Sequence, residues 1–234
     1  MQTPHGDESQ RRLQTVPLSF AHKIEKLAEA FEKLRTRFGG GMDLAVDGHQ
    51  GGVPDPMPVT EAVAIAQALA PYRLRFFEEP LAYTDLPGYS ELRRRSPIPI
   101  AGGESLCGID QFHGLIAGHG VDLIQPDLGF VGGLQETIRI VHHAEAFNLG
   151  TALHTGASVG PVLAASWHLA AATRSIAWLE HALAARSIQR DVMRDDFSVV
   201  DGGFRPPTSP GLGVHLPPEI LEKYRFVPGS GERT

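Results

Sequence analysis

The sequence predicts an α/β fold of the TIM type, a (β/α) barrel, and three observations predict it. Short apolar runs alternate with stretches of helical period along residues 19–185. Six of these runs close on a polar residue, namely Asp47, Glu79, Glu104, Asp127, His154 and Glu180, spaced by 23–32 residues. The runs are apolar at nearly every position, as strands of a parallel sheet covered on both faces are. Such a barrel builds its site from groups at the C-terminal ends of successive strands.

Ile24, Leu27, Ala28, Phe31 and Leu34 share one helical face, which predicts a helix over 20–38, stopped by Gly39, Gly40 and Gly41. A strand follows at 44–46. The stretch 59–70 reads as a helix with Thr60 as its N-cap. Strands are expected at 73–78, 97–101, 122–125, 151–153 and 176–179, separated by helices at 85–95, 109–117, 133–147 and 159–172. This gives six strands where a closed barrel needs eight. Two βα units are therefore expected to be missing at the N-terminal side, with the helix over 20–38 belonging to the second of them. Residues 1–18 are polar and read as a linker remnant. Residues 186–234, rich in Pro and Gly, read as an irregular segment wrapping the domain.

Bulk properties narrow the function classes. The chain has 234 residues, 42% of them hydrophobic and 21% charged, with a net charge of −6. That balance argues against a nucleic-acid partner, which calls for a basic face. Cys107 is the single cysteine, so no intrachain disulfide forms. No apolar run is long enough for a membrane span, and the N-terminus lacks the apolar core of a signal peptide. A cytoplasmic location is the expectation.

Asp47, Glu79 and Glu104 form the first constellation. Carboxylates from three strand ends suit a hard divalent cation such as Mg2+, which takes oxygen ligands and keeps several waters. Glu78 and Glu79 are neighbours and point to opposite sides of a strand, so one of them faces the mouth. Glu79, directly before Pro80, is the expected one. Asp127 and His154 form the second constellation. A carboxylate on one ring nitrogen fixes the tautomer and raises the basicity of the other, giving a general acid or base. His49, two residues after Asp47, offers a second acid/base group. Glu180 could hydrogen-bond a substrate carboxylate if protonated or bridged. His142, His143 and His168 lie within expected helices and read as surface or packing residues. The glycines of GFVGG do not make a nucleotide fingerprint.

VDGH, FFEEP, PIAGGES, LIQPD followed by GG, the histidine of the next strand end, and LEH occur in the order seen in the enolase superfamily. The chain resembles its mandelate racemase branch, most closely the acid-sugar dehydratases such as galactonate dehydratase. The resemblance implies the C-terminal barrel domain of that superfamily, with the first strands and a capping domain not represented. It implies Mg2+ on Asp47, Glu79 and Glu104, and proton abstraction α to a carboxylate by His154, oriented by Asp127. It also implies an enediolate supported by Glu180, and loss of the β-hydroxyl assisted by His49, giving a 2-keto-3-deoxy acid. A small sugar-acid substrate and a homo-oligomer follow from the same likeness. The family pattern DxHGR reads here as Asp47, Gly48, His49, Gln50, Gly51, without the arginine. Racemisation or epimerisation of a 2-hydroxy acid through the same enolate remains an alternative. A catalytically inactive partial barrel is another.

Overall fold

A computed structural model describes residues 19–156, 158–182, 186–193 and 199–228. The expected linker at 1–18 lies outside them. The chain divides into two compact units, Met1–Met42 and Asp43–Thr234. The first contains α1 (Phe20–Phe38), with the bounds the apolar period gives. Ser19 caps it by accepting a hydrogen bond from the His22 amide at 3.3 Å. Gly39, at φ 63°, ends it and donates to the Arg35 carbonyl. Only glycine takes that backbone region without strain.

The second unit is built on one parallel sheet. Its strands are β1 (Val46–Asp47), β2 (Phe77–Glu78), β3 (Ile100–Gly102), β4 (Leu123–Ile124), β5 (Gly150–Leu153) and β6 (Ile176–Leu179), hydrogen-bonded in sequence order. Between them run α2 (Val59–Leu69), α3 (Leu86–Arg95), α4 (Gly108–Ala117), α5 (Leu128–Val131), α6 (Leu134–Ala146) and α7 (Pro161–Ala172). The Arg75 guanidinium lies 5.1 Å from the centre of the Trp178 ring. Arg75 leads into β2 and Trp178 sits in β6, four strands away. In a flat sheet those strands would be about 19 Å apart, so the contact requires the sheet to curl on itself. This is the curled, barrel-type parallel sheet that the alternation predicts.

Several boundaries differ from the sequence expectation. The first strands are shorter, because Arg73 turns into the left-handed region at φ 49° after a 3-10 turn over Ala70–Tyr72. The regular register of β2 with β1 then runs from Phe77, after a first backbone hydrogen bond from the Arg75 amide to the Leu44 carbonyl at 2.7 Å. Thr60 does not cap α2, which starts at Val59 behind an extended Pro58. The short helix α5 was not foreseen in the sequence. It is set off by Asp127, whose carboxylate accepts the Gly129 amide at 2.6 Å. Asp85 does cap α3 through the Gly88 amide, at 3.0 Å.

The C-terminal stretch is not wholly irregular. It forms α8 (Arg186–Met193), an antiparallel pair of β7 (Val199–Val200) and β8 (Gly203–Phe204), and α9 (Pro218–Lys223). Apolar residues anchor it: Val192, Met193, Phe204, Val214 and Ile220 pack with Leu163, Ala164 and Trp167 of α7. The Trp167 and Phe204 rings stand 4.7 Å apart. Lys223 and Tyr224 both donate to the Asp191 carboxylate. A second cluster joins Leu128, Val141, Leu153, Leu169 and Ile176 under the β4–β6 side of the sheet. No helix among the described residues is long and apolar enough to cross a membrane.

Trp167 is 2% exposed and links α7 to the C-terminal elements. Trp167→Ala is expected to lower stability by about 3–5 kcal/mol, the usual loss for a large aromatic removed from a packed core. Urea denaturation of both chains measures it.

Candidate active site and metal centre

Parallel pairing sets the strand ends side by side. Asp47 of β1 is in register with Glu78 of β2, and Glu78 with Ala101 of β3. An isolated parallel bridge joins Asp127 to His154. The polar residues that end the strands therefore collect at one rim. They surround a pocket of about 380 Å³ whose lining includes Asp47, His49, Glu78, Glu104, Gln125, His154 and Glu180, over a floor with Phe76, Ala152 and Trp178.

Asp47 sits where β1 gives way to a turn. Its Oδ1 accepts the His49 amide at 2.7 Å, and its Oδ2 is 3.6 Å from His49 Nδ1. His49 has a left-handed backbone, φ 47°, and its side chain is 79% exposed. Gly48 is needed at that turn, since a Cβ there would press on the Phe77 ring and the backbone of Glu79 and Pro80 at 3.0–3.1 Å. Beyond it, Gln50 closes the loop by donating to the Gly48 carbonyl and accepting the Met57 amide, each at 2.8 Å.

The adjacent glutamates take different places. Glu78 lines the pocket together with Phe76, two residues earlier. Glu79, the residue expected at the mouth, is not among the lining residues and is 3% exposed. It accepts a hydrogen bond from Ser105 Oγ at 2.9 Å and lies against Gly51, where an added Cβ would sit 1.8 Å from its Oε1. Its φ of 37° breaks the strand alternation at that point. Still, one ligand atom each from His49, Glu79 and Glu104 lie within 4.8 Å of one another. The missing arginine also has a local counterpart here: the space beside Gly51 is filled by the Glu79 carboxylate.

Burial pushes the Glu78 carboxyl up to about 7, helped by the nearby Asp47 and Glu104 charges and opposed by the polar Gln125 side chain. Burial also raises Glu104, against the lowering effect of His154. Asp47, Glu78 and Glu104 are thus crowded carboxylates whose mutual repulsion no neighbouring lysine or arginine among the described lining residues relieves. A small divalent cation with a preference for oxygen fits that donor set.

Asp127 and His154 meet as expected. Asp127 Oδ2 is 2.8 Å from His154 Nδ1, while its Oδ1 is held by the α5 amide of Gly129. The carboxylate is therefore fixed at both oxygens. His154 Nε2 points toward Glu104 and Glu180, 3.7 Å from each. Burial, the largest single influence, pulls the imidazole down. The Asp127 hydrogen bond and the Glu104 and Glu180 charges more than offset it, leaving His154 raised to about 9.

Glu180 is held differently from the sequence expectation. Its Oε2 accepts the backbone amides of Thr155 and Gly156, at 2.9 and 2.7 Å. The Thr155 hydroxyl donates to the Glu180 carbonyl, also at 2.9 Å. Held by these two amides, Glu180 orients the loop that follows His154. Gln125 and Ser105 were not among the candidates read from the sequence, and Glu78 was set there behind Glu79. A signal existed for two of them: Glu78 shares strand parity with Phe76, and Gln125 with Asp127.

With the geometry in place, comparison with known proteins is direct. Residues 8–220 match the protein family described as Enolase C-terminal domain-like. A D-galactonate dehydratase of Pectobacterium atrosepticum is 31% identical over 216 residues, covering 89% of this chain and 55% of the relative. Among solved structures, a mandelate racemase/muconate lactonizing enzyme from Sulfitobacter sp. superposes with a TM-score of 0.81 at 25% identity, covering 93% of this chain and 53% of that one. A racemase from Streptomyces coelicolor A3(2) with bound magnesium gives 0.74 at 29% identity, covering 86% and 51%. The chain thus spans about half the length of the relatives it matches. A curled sheet of parallel strands with acids and an Asp–His pair along one rim, matched over most of its length, places this chain in the Enolase C-terminal domain-like family.

Proposed function

We propose that the chain carries the catalytic half of a Mg2+-dependent dehydratase acting on a small polyhydroxylated carboxylate, with D-galactonate, the substrate named for its relatives, as the first candidate. The observation that supports this best is the Asp127–His154 contact at 2.8 Å, in which His154 lines the same pocket as Asp47, Glu78 and Glu104. A strong base next to a cation site suits removal of a proton α to a carboxylate.

Asp47 and Glu104 are the proposed cation ligands, with Glu78 as the third in preference to Glu79. Glu78 lines the pocket, whereas the Glu79 carboxylate is engaged by Ser105. Bound Mg2+ supplies charge neutralisation where negative charge develops on the substrate carboxylate. The protein's own groups do the rest. His154 Nε2 takes the α-proton, and Asp127 holds the ring in the Nδ1–H tautomer and stabilises the imidazolium. His49, within reach of the same Glu104 carboxylate, donates a proton to the departing β-hydroxyl, which leaves as water. The Cα–H and Cβ–O bonds break, a Cα–Cβ double bond forms, and tautomerisation yields the 2-keto-3-deoxy acid.

The charge state of His154 gives the reading a pH signature. In the metal-free chain its ring is raised to about 9, so there it is an imidazolium at neutral pH. A cation held by Glu104 would offset one of the charges that raise it and free Nε2 to accept a proton. A group raised on folding stabilises the fold fully below its unfolded value, near 6.5, and loses that contribution as pH rises through about 9. NMR titration of the metal-free protein is expected to place the His154 midpoint near 9. Asp127→Asn is expected to lower it, and a midpoint unchanged by that substitution would contradict the pairing.

Calorimetric titration with Mg2+ is expected to show saturable binding that Glu104→Gln loses. Equal heats in both proteins would remove the metal reading. With D-galactonate and Mg2+, 2-keto acid formation is expected, and His154→Asn is expected to reduce it by roughly 10²–10⁴-fold, the usual size of a general-base contribution, with Mg2+ binding retained. A change in optical rotation without keto acid would favour racemisation. Mg2+ binding without either would favour the inactive partial barrel.

A further inference from the structure

Two histidines outside the pocket face each other across a pair of helices. His113 is on α4 and His143, read from the sequence as a surface or packing residue, is on α6. Their rings meet nitrogen to nitrogen. His113 Nδ1 is 3.1 Å from His143 Nε2, with ring centres 5.2 Å apart and planes tilted by 36°. Neither residue lines the carboxylate pocket. His113 is exposed and His143 half-buried, so the pair is open to dissolved ions.

Packing holds the two backbones together independently of the rings. The helices α4 and α6 lie against one another, with Phe112 and Ile116 of the first and Ile140 and Ala144 of the second buried. Nearer their N-terminal ends, the Ile109 amide donates to Glu136 Oε1 at 2.9 Å. The Phe147 ring, one turn on from His143, stands edge-on to its imidazole at 5.2 Å.

The spacing suits a shared metal ion. Two nitrogens bound to one Zn2+ at about 2.0–2.1 Å lie about 2.9–3.4 Å apart, for bond angles from a right angle to the tetrahedral value. The observed 3.1 Å falls inside that range. The chemistry is selective as well: imidazole nitrogens suit Zn2+, Cu2+ and Ni2+, whereas Mg2+ takes oxygen. We propose that His113 and His143 form a binding site for an imidazole-seeking divalent transition metal such as Zn2+, bridging α4 and α6 and separate from the Mg2+ pocket. Each facing nitrogen gives the ion a lone pair. The proton of the N–H···N contact moves to the far nitrogen of its own ring. With only two protein ligands, affinity falls well short of a four-ligand structural zinc site.

The test is a Zn2+ titration followed through the histidine ring signals by NMR, with Mg2+ present. The His113 and His143 signals are expected to shift together and to saturate. In calorimetry, His113→Gln and His143→Gln are each expected to lose one Zn2+ binding event that the wild type shows. Zn2+ taken by the carboxylate pocket would appear equally in all three proteins. Ring signals of His113 and His143 that Zn2+ leaves unmoved overturn the proposal, as do folded variants that bind Zn2+ like the wild type; the pair is then a plain hydrogen bond between helices. The wild-type ring signals decide the question even where a variant folds poorly.

Discussion

The register of the parallel ladder is the constraint on which the site depends. Strands that run in one direction and pair in sequence order place all their C-terminal ends on one rim. Asp47 stands opposite Glu78, and Asp127 bridges to His154, because backbone hydrogen bonds fix those pairs. A slip of one residue in any strand would turn its polar end away from the pocket. The curl of the sheet, shown by Arg75 reaching Trp178, then gathers six rim positions around a common space.

The rim is electrostatically costly, and the surrounding residues manage that cost locally. Asp127 is held by both of its oxygens, one by the start of α5 and one by the His154 ring. Glu180 receives two backbone amides. Glu78 and Glu104 lack comparable support, and burial together with their neighbours raises both. The carboxylates with strong fixed donors, Asp127 and Glu180, hold the His154 ring and the loop that follows it. The crowded ones are the proposed cation ligands. His49 and Glu79, each in the left-handed region, sit beside them, where local strain of about 1–3 kcal/mol per residue is commonly stored at functional positions.

Much of this was legible before any coordinates. The helix over 20–38 and the strand over 176–179 have the bounds their apolar patterns give. Asp127 and His154 were paired from their positions on consecutive strand ends, and they meet. Boundaries failed where local backbone chemistry overrode pattern: Arg73 in a left-handed turn shortens β2, and Asp127 nucleates a helix too short to show a period. The two C-terminal helices and the hairpin escaped because their order comes from packing on Trp167 and its neighbours in α7, which are distant in sequence.

The sequence by itself determined the fold class, the order of the strands and most of the candidate groups, because an apolar run closed by a polar residue points to a strand end when it repeats at βα length. Tertiary structure alone decided which of two adjacent glutamates lines the pocket and that Glu180 is tied to the Thr155–Gly156 loop. Those outcomes rest on a positive backbone angle and on amide donors from another strand end, neither of which a one-dimensional pattern encodes.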